Sequence, residues 1–208
     1  MKKLSLIPVA IILLISCDTN ELKGPTLDSN FVEVTSIQDF SKIASQLEAN
    51  IPIEVLSGQT KTKSLMTKHY SEKIAEILEP LKNVGLSARK QMLNDPQLSD
   101  INSKKLSNFT DRELALLGML HIIIKDREET ISGDFKTKGI SFMMQGASID
   151  ACIRSALGVE AAYEIITGNA AANVDNVLKA ASKLARRTLG WVGAAYAVYE
   201  FTVCVNSL

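Results

Sequence analysis

The chain has 208 residues, with 23 lysines and arginines against 23 aspartates and glutamates, and 46% of its positions are apolar. Balanced charge leaves no strong field to gather nucleic acid, which argues against a nucleic-acid partner, and the apolar share excludes a chain that is disordered throughout. The stretch beyond residue 30 is long enough for one hydrophobic core or two small ones.

The chain opens Met1-Lys-Lys-Leu-Ser-Leu-Ile-Pro-Val-Ala-Ile-Ile-Leu-Leu-Ile-Ser-Cys17. Lys2 and Lys3 form a short positive region and Leu4 to Ile15 an apolar one. Leu14-Ile15-Ser16-Cys17 then places an aliphatic, a tolerant and a small residue before a cysteine. The uncharged run Leu4–Ser16 is 13 residues, whereas a helix that crosses the hydrocarbon core needs about 20. This segment resembles the signal peptide and lipobox of bacterial lipoproteins, a resemblance confined to residues 1–17. It implies transfer of a diacylglyceryl group to the Cys17 thiol, cleavage after Ser16 and acylation of the new amino terminus. Two or more acyl chains, at about 0.8 kcal/mol per buried CH₂, hold a protein stably on a bilayer. Lipidation is therefore the expected role of Cys17, and the membrane an expected partner through that lipid.

Asp18 to Asn30, with Gly24 and Pro25 and little to bury, reads as a flexible tether. Asp18 after the lipobox cysteine resembles the inner-membrane retention signal of enteric bacteria. Acidic residues there also resemble the surface-export signal of Bacteroidota. The expected location is the cell envelope, with the outer membrane taken over the inner. Loss of Lys2 and Lys3 with the signal leaves 23 − 2 = 21 basic residues against 23 acidic ones, so the mature chain stays near neutral.

Beyond the tether the fold class is mainly α, a multi-helix bundle. Phe31-Val-Glu-Val-Thr35 and Ile51-Pro-Ile-Glu-Val-Leu56 are β-leaning runs, readable as a small two-stranded ribbon or as ordered loop. Ser36-Ile-Gln-Asp39 is a capping-box variant ahead of Ile37, Phe40, Ile43 and Leu47 at helical spacing. Leu65, Met66, His69, Tyr70, Ile74, Ile77, Leu78 and Leu81 recur every three or four residues. They predict a long amphipathic helix that Pro80 ends or kinks, with Leu86–Leu93 continuing it. Thr110-Asp-Arg-Glu113 predicts a capped helix running to about Lys125, whose segment Leu114–Ile124 is apolar all round and so belongs in a core.

Charge density then falls. Residues 18–138 carry 34 charges in 121 positions and residues 139–208 carry 10 in 70, with 6 of the 11 glycines in the latter. This divides a helical N-terminal region, 31–138, from a Gly/Ala-rich helical region, 139–208, packed on it, with a loop at Gly133–Gly139 between them. Ser148–Leu157 predicts a helix stopped by Gly158, and Val159, Ala162, Tyr163 and Ile166 line a short one. Val174 to Leu189 line a longer helix expected to end at Gly190. Its Arg186 and Arg187 read as a solvated helix end, against an anionic-lipid or phosphate site. Trp191–Val205, apolar but for Glu200, reads as half of a helical hairpin, against an interfacial membrane helix.

With Cys17 lipidated and the chain exported from the reducing cytosol, Cys152 and Cys204 are expected to form a disulfide, against two buried thiols. His69 and His121 lie on apolar helical faces without a second ligand at metal spacing, so no metal and no cofactor are expected. The chain has no Gly-x-Ser-x-Gly elbow, P-loop, dinucleotide fingerprint or His-Glu-x-x-His, and no catalytic residue is assigned. Glu76/Glu79, Asp111/Glu113 and Glu128/Glu129 read as solvated faces or caps. The leading function is a lipid-anchored, non-enzymatic helical module for a protein or envelope component, with an exposed patch on the helix 64–81. The Gly/Ala-rich region 139–208, with its run Gly190-Trp-Val-Gly-Ala-Ala195, is similar in composition to small helical bacteriocins. That likeness supplies an alternative, a membrane-active factor or its immunity partner acting through 139–208. An envelope hydrolase, in which His69 or His121 meets a carboxylate in a cleft, is the third reading.

Overall fold

The computed structural model describes residues 33–56, 65–132, 141–166 and 173–208, with side chains except over 65–68, 128–132 and 141–147. The expected signal segment 1–17 with Cys17, the tether 18–30, Phe31 with Val32 and the loop 133–139 lie outside the described residues. Ten α-helices and no strand are found among those described: α1 Phe40–Asn50, α2 Ile53–Leu56, α3 Leu65–Ile77, α4 Glu79–Leu93, α5 Asp100–Ser107, α6 Asp111–Ser132, α7 Ser141–Leu157, α8 Val159–Ile166, α9 Val174–Arg187 and α10 Gly190–Asn206. Residues 31–208 form a single unit, and one continuous apolar core runs from Val34 to Phe201. The multi-helix bundle is thus the fold.

The first capping signal works locally. Asp39 Oδ2 accepts from the amides of Thr35 (3.0 Å) and Ser36 (3.2 Å), opening a 3-10 turn at Ile37–Asp39 that leads into α1. The Thr35 amide chiefly, then Lys42 and Ser36, hold the Asp39 carboxyl down from the usual 3.8 to about 2, against the opposing effect of burial. A folded-state value below the unfolded one gives stability that is present above the unfolded value and fades as pH falls through the folded one. Asp39→Asn is therefore expected to lower stability by about 1 kcal/mol near neutral pH after solvent screening, and by almost nothing near pH ~2. Urea midpoints of the two proteins at both pH values check this; an unchanged gap between them would contradict it.

The ribbon is not formed. Ile53–Leu56 is a helical turn, in which the carbonyl of Pro52 accepts from the amides of Val55 (2.9 Å) and Leu56 (3.2 Å). Pro52 cannot donate to a strand ladder, and the Thr35 and Ser36 amides are taken by Asp39. Ile51, in the link between α1 and α2, and Val55 and Leu56 of α2 still reach the core. The long helix of 65–93 breaks at Leu78, two residues before Pro80. That proline sits in the first turn of α4, where its missing N–H costs nothing.

Thr110 caps α6 as a full capping box: its amide donates to Glu113 Oε2 (2.8 Å) and its Oγ1 accepts from the Glu113 amide (3.3 Å). α6 runs well past Lys125, to Ser132. Leu116, Leu117, Met119, Leu120 and Ile123 are all at most 1% exposed, so α6 is the central element. It crosses α4 where two glycines face it and each other. A Cβ on Gly85 would fall on the Leu114 carbonyl, and one on Gly118 on the Leu81 carbonyl and within 2.8 Å of the Gly85 nitrogen. The two backbones touch there because neither helix has a side chain in the way.

The C-terminal half is shaped by its glycines, with one reassignment. Gly158, at φ 82°, ends α7. Gly190, at φ 70°, does not cap α9, which stops at Arg187; it starts α10 after Thr188 and Leu189, and the two helices bend through 116°. α10 packs on α7, α1 and α3, with Phe201 edge-on to Phe40 at 5.9 Å. Tyr199 donates to Glu48 Oε1 at 3.0 Å and Ser41 to Asn206 Oδ1 at 3.2 Å, so α1 lies antiparallel along α10.

Candidate functional site

The two histidines are not brought to a carboxylate among the described residues. His69 is exposed on α3, its ring edge-on to Tyr70 at 5.2 Å, which corrects its expected place on an apolar face. His121 is half-buried on α6, and burial, aided by the nearby Lys125, lowers its pKa. A carboxylate partner would pull it the other way, and none acts on His121 among the described residues.

Two of the three carboxylate pairs are spent on structure. Glu76 pairs with Lys73 at 3.0 Å, and Glu113 is the cap of α6. Glu79 and Asp111 lie 2.7 and 3.6 Å from Lys82, a bridge between α4 and α6 in which the Glu79 hydrogen bond raises the lysine pKa. Glu128 and Glu129 have side chains outside the described residues. No group of three or more His, Cys, Asp or Glu able to hold a metal converges among the described residues.

Cys152 of α7 and Cys204 of α10 are joined in a disulfide, with their Cα atoms 5.5 Å apart at a sequence separation of 52. Cys152 is fully buried. One turn further along α7, Ser155 Oγ donates to Glu200 Oε1 at 2.8 Å, so the covalent link and a polar contact clamp the same pair of helices.

The outward face of the unit differs from the expectation. From His69 to Leu81 the helix face shows no large exposed apolar side chain; Ile74, Ile77, Leu78 and Leu81 are all core. Among the described residues the most exposed large apolar side chains are Leu189, Ile101, Val159 and Tyr163. Leu189 and Val159 stand in or beside the inter-helix turns at Gly190 and Gly158. The glycines signal those turns, but nothing in the one-dimensional order brings residue 159 near residue 189. Comparison with protein-family models found no match, and the comparisons with curated proteins and with solved structures found none either.

Proposed function

We propose that the chain is a lipid-anchored bacterial envelope protein whose helical unit, residues 31–208, is a non-enzymatic binding module for a protein or envelope component. The observation that carries this reading is the order of Lys2-Lys3, the apolar run and Leu14-Ile15-Ser16-Cys17. It supplies an address and an anchor, and leaves the folded unit facing an envelope compartment, with the outer membrane as the proposed site. The structural use of Glu76, Glu79, Asp111 and Glu113, and histidines that meet no carboxylate among the described residues, weigh against the hydrolase. The membrane-active alternative needs the apolar side of α10 on a bilayer. Val198 and Phe201 are at most 1% exposed against α1 and α7, so that use would require α10 to leave the unit.

The test is metabolic labelling with radioactive palmitate in a bacterial host, followed by density separation of the two membranes. The wild-type chain is expected to take up label and to band with the outer membrane. Cys17→Ala should lose the label and accumulate as the longer precursor. An unlabelled wild type, or label retained in Cys17→Ala, would remove the lipid anchor from the reading.

A further inference from the structure

Two inter-helix turns meet at one corner of the unit. Gly158 turns α7 into α8, and Thr188-Leu189-Gly190 turns α9 into α10. The Arg187 side chain lies over Gly158, so close that a Cβ there would displace it. Lys183 Nζ, 2.8 Å from Glu164 Oε1 and 3.4 Å from the Glu160 carbonyl, holds α9 beside α8. The tips of the turns are therefore neighbours.

Their side chains share a character. Leu189 is 84% exposed and Val159 73%. Around them stand Arg154, one turn before Gly158, with Arg186 and Arg187, all exposed, and one exposed carboxylate, Glu160, next to Val159. Residues 139–208 hold only five lysines and arginines, and three of them are these arginines. Among the described residues no carboxylate is paired with any of the three. A lone exposed aliphatic is ordinary, and arginines at a helix end suit its dipole. Both together at one corner match the interface of an anionic bilayer: guanidinium forks take phosphates while short aliphatic tips enter below the headgroups.

Reach permits it. Cys17 and Glu33 are 33 − 17 = 16 residues apart, a span of at most about 55 Å. The Ser41–Asn206 contact places the start of the unit at the far end of α10 from the corner, and that 17-residue helix is about 25 Å long. We infer that the corner made by Arg154, Val159, Arg186, Arg187 and Leu189 docks on the anionic lipid surface that carries the Cys17 anchor, and so sets which face the unit turns to its partner. This rests on the lipid-anchor reading.

The full-length protein is tested in vesicles of phosphatidylcholine with or without phosphatidylglycerol, in lipid excess. It carries an environment-sensitive fluorophore on one added cysteine, Val159→Cys, Leu189→Cys or, as the control at the opposite end, the exposed Gln38→Cys. Emission at 159 and 189 is expected to rise and shift to the blue only with phosphatidylglycerol, while 38 stays at its value in buffer. Each arginine contributes about fivefold to partitioning at an anionic surface, so Arg186→Gln with Arg187→Gln should lower the docking equilibrium constant about 25-fold. Equal signals at 38 and 189, a rise at 38 alone, or a response as large in neutral vesicles would overturn the docking. Flotation of the same samples reads the anchor separately. A protein that floats without the signal at 189 has kept the lipid and overturns the docking, and one that neither floats nor gives the signal has lost the anchor on which the docking rests.

Discussion

Replacing Gly118 with alanine is expected to destabilise the folded chain by about 3 kcal/mol, against the gain of about 1 kcal/mol that alanine brings to an exposed helix. The sign turns on what the new methyl meets. At Gly118 it meets the Leu81 carbonyl and the Gly85 nitrogen, and at Gly85 the Leu114 carbonyl, with its carbon at 2.7 Å. These are backbone atoms of the facing helix and cannot rotate away as a side chain tip would. Relief comes only from moving α4 and α6 apart, which opens the packing around Leu81, Ala88, Leu114 and Leu117, all at most 2% exposed. For a unit of this size the loss corresponds to a fall of about 6–12 °C in Tm.

The double variant separates close approach from two independent losses. Once one alanine has separated the helices, the second finds room already made, so Gly85→Ala with Gly118→Ala should cost less than the sum of the single changes by about 1 kcal/mol or more. Urea unfolding of the four proteins measures this cycle. A stabilised Gly118→Ala, or strictly additive losses, would mean that the two helices do not meet at these glycines.

The features legible in advance were the local ones. The boxes at Ser36 and Thr110 are settled within four residues, and the all-round apolar run 114–124 admits only a buried helix. The β-branched stretch 51–56 is short enough to be strand or helical turn, and only its packing against the core decides. Gly190 illustrates the same limit: a glycine between two helical patterns can end one or start the next, and the bend between α9 and α10 makes it the latter. Glycines inside the patterns at 85 and 118 signal a close approach, since each costs its helix about 1 kcal/mol. Their partners are 33 residues apart in sequence and were not legible. The same holds for the corner at Val159 and Leu189, which forms where Arg187 lies across Gly158 and Lys183 ties α9 to α8.

Opening the Cys152–Cys204 bond is expected to lower stability by about 4 kcal/mol in the chain-entropy model for a 52-residue loop. Against the 5–15 kcal/mol typical of a whole domain, that is a large share. The effect acts first on the unfolded chain: without the cross-link, the segment from α7 to α10 explores far more conformations and exposes more surface. The urea midpoint should fall while the slope m rises. Cys152→Ala with Cys204→Ala should reproduce both changes, because alanine suits the buried position of Cys152 and the packing of Phe201 on Phe40 is left in place. Reduction of the wild type by dithiothreitol should then match the double variant, and reduction of the variant should change nothing. If reduction leaves the wild-type midpoint where it was, the two sulfurs are free thiols in solution. Folding of 31–208 would then depend on the α10 core contacts alone, and an oxidising compartment would no longer be needed to account for its stability.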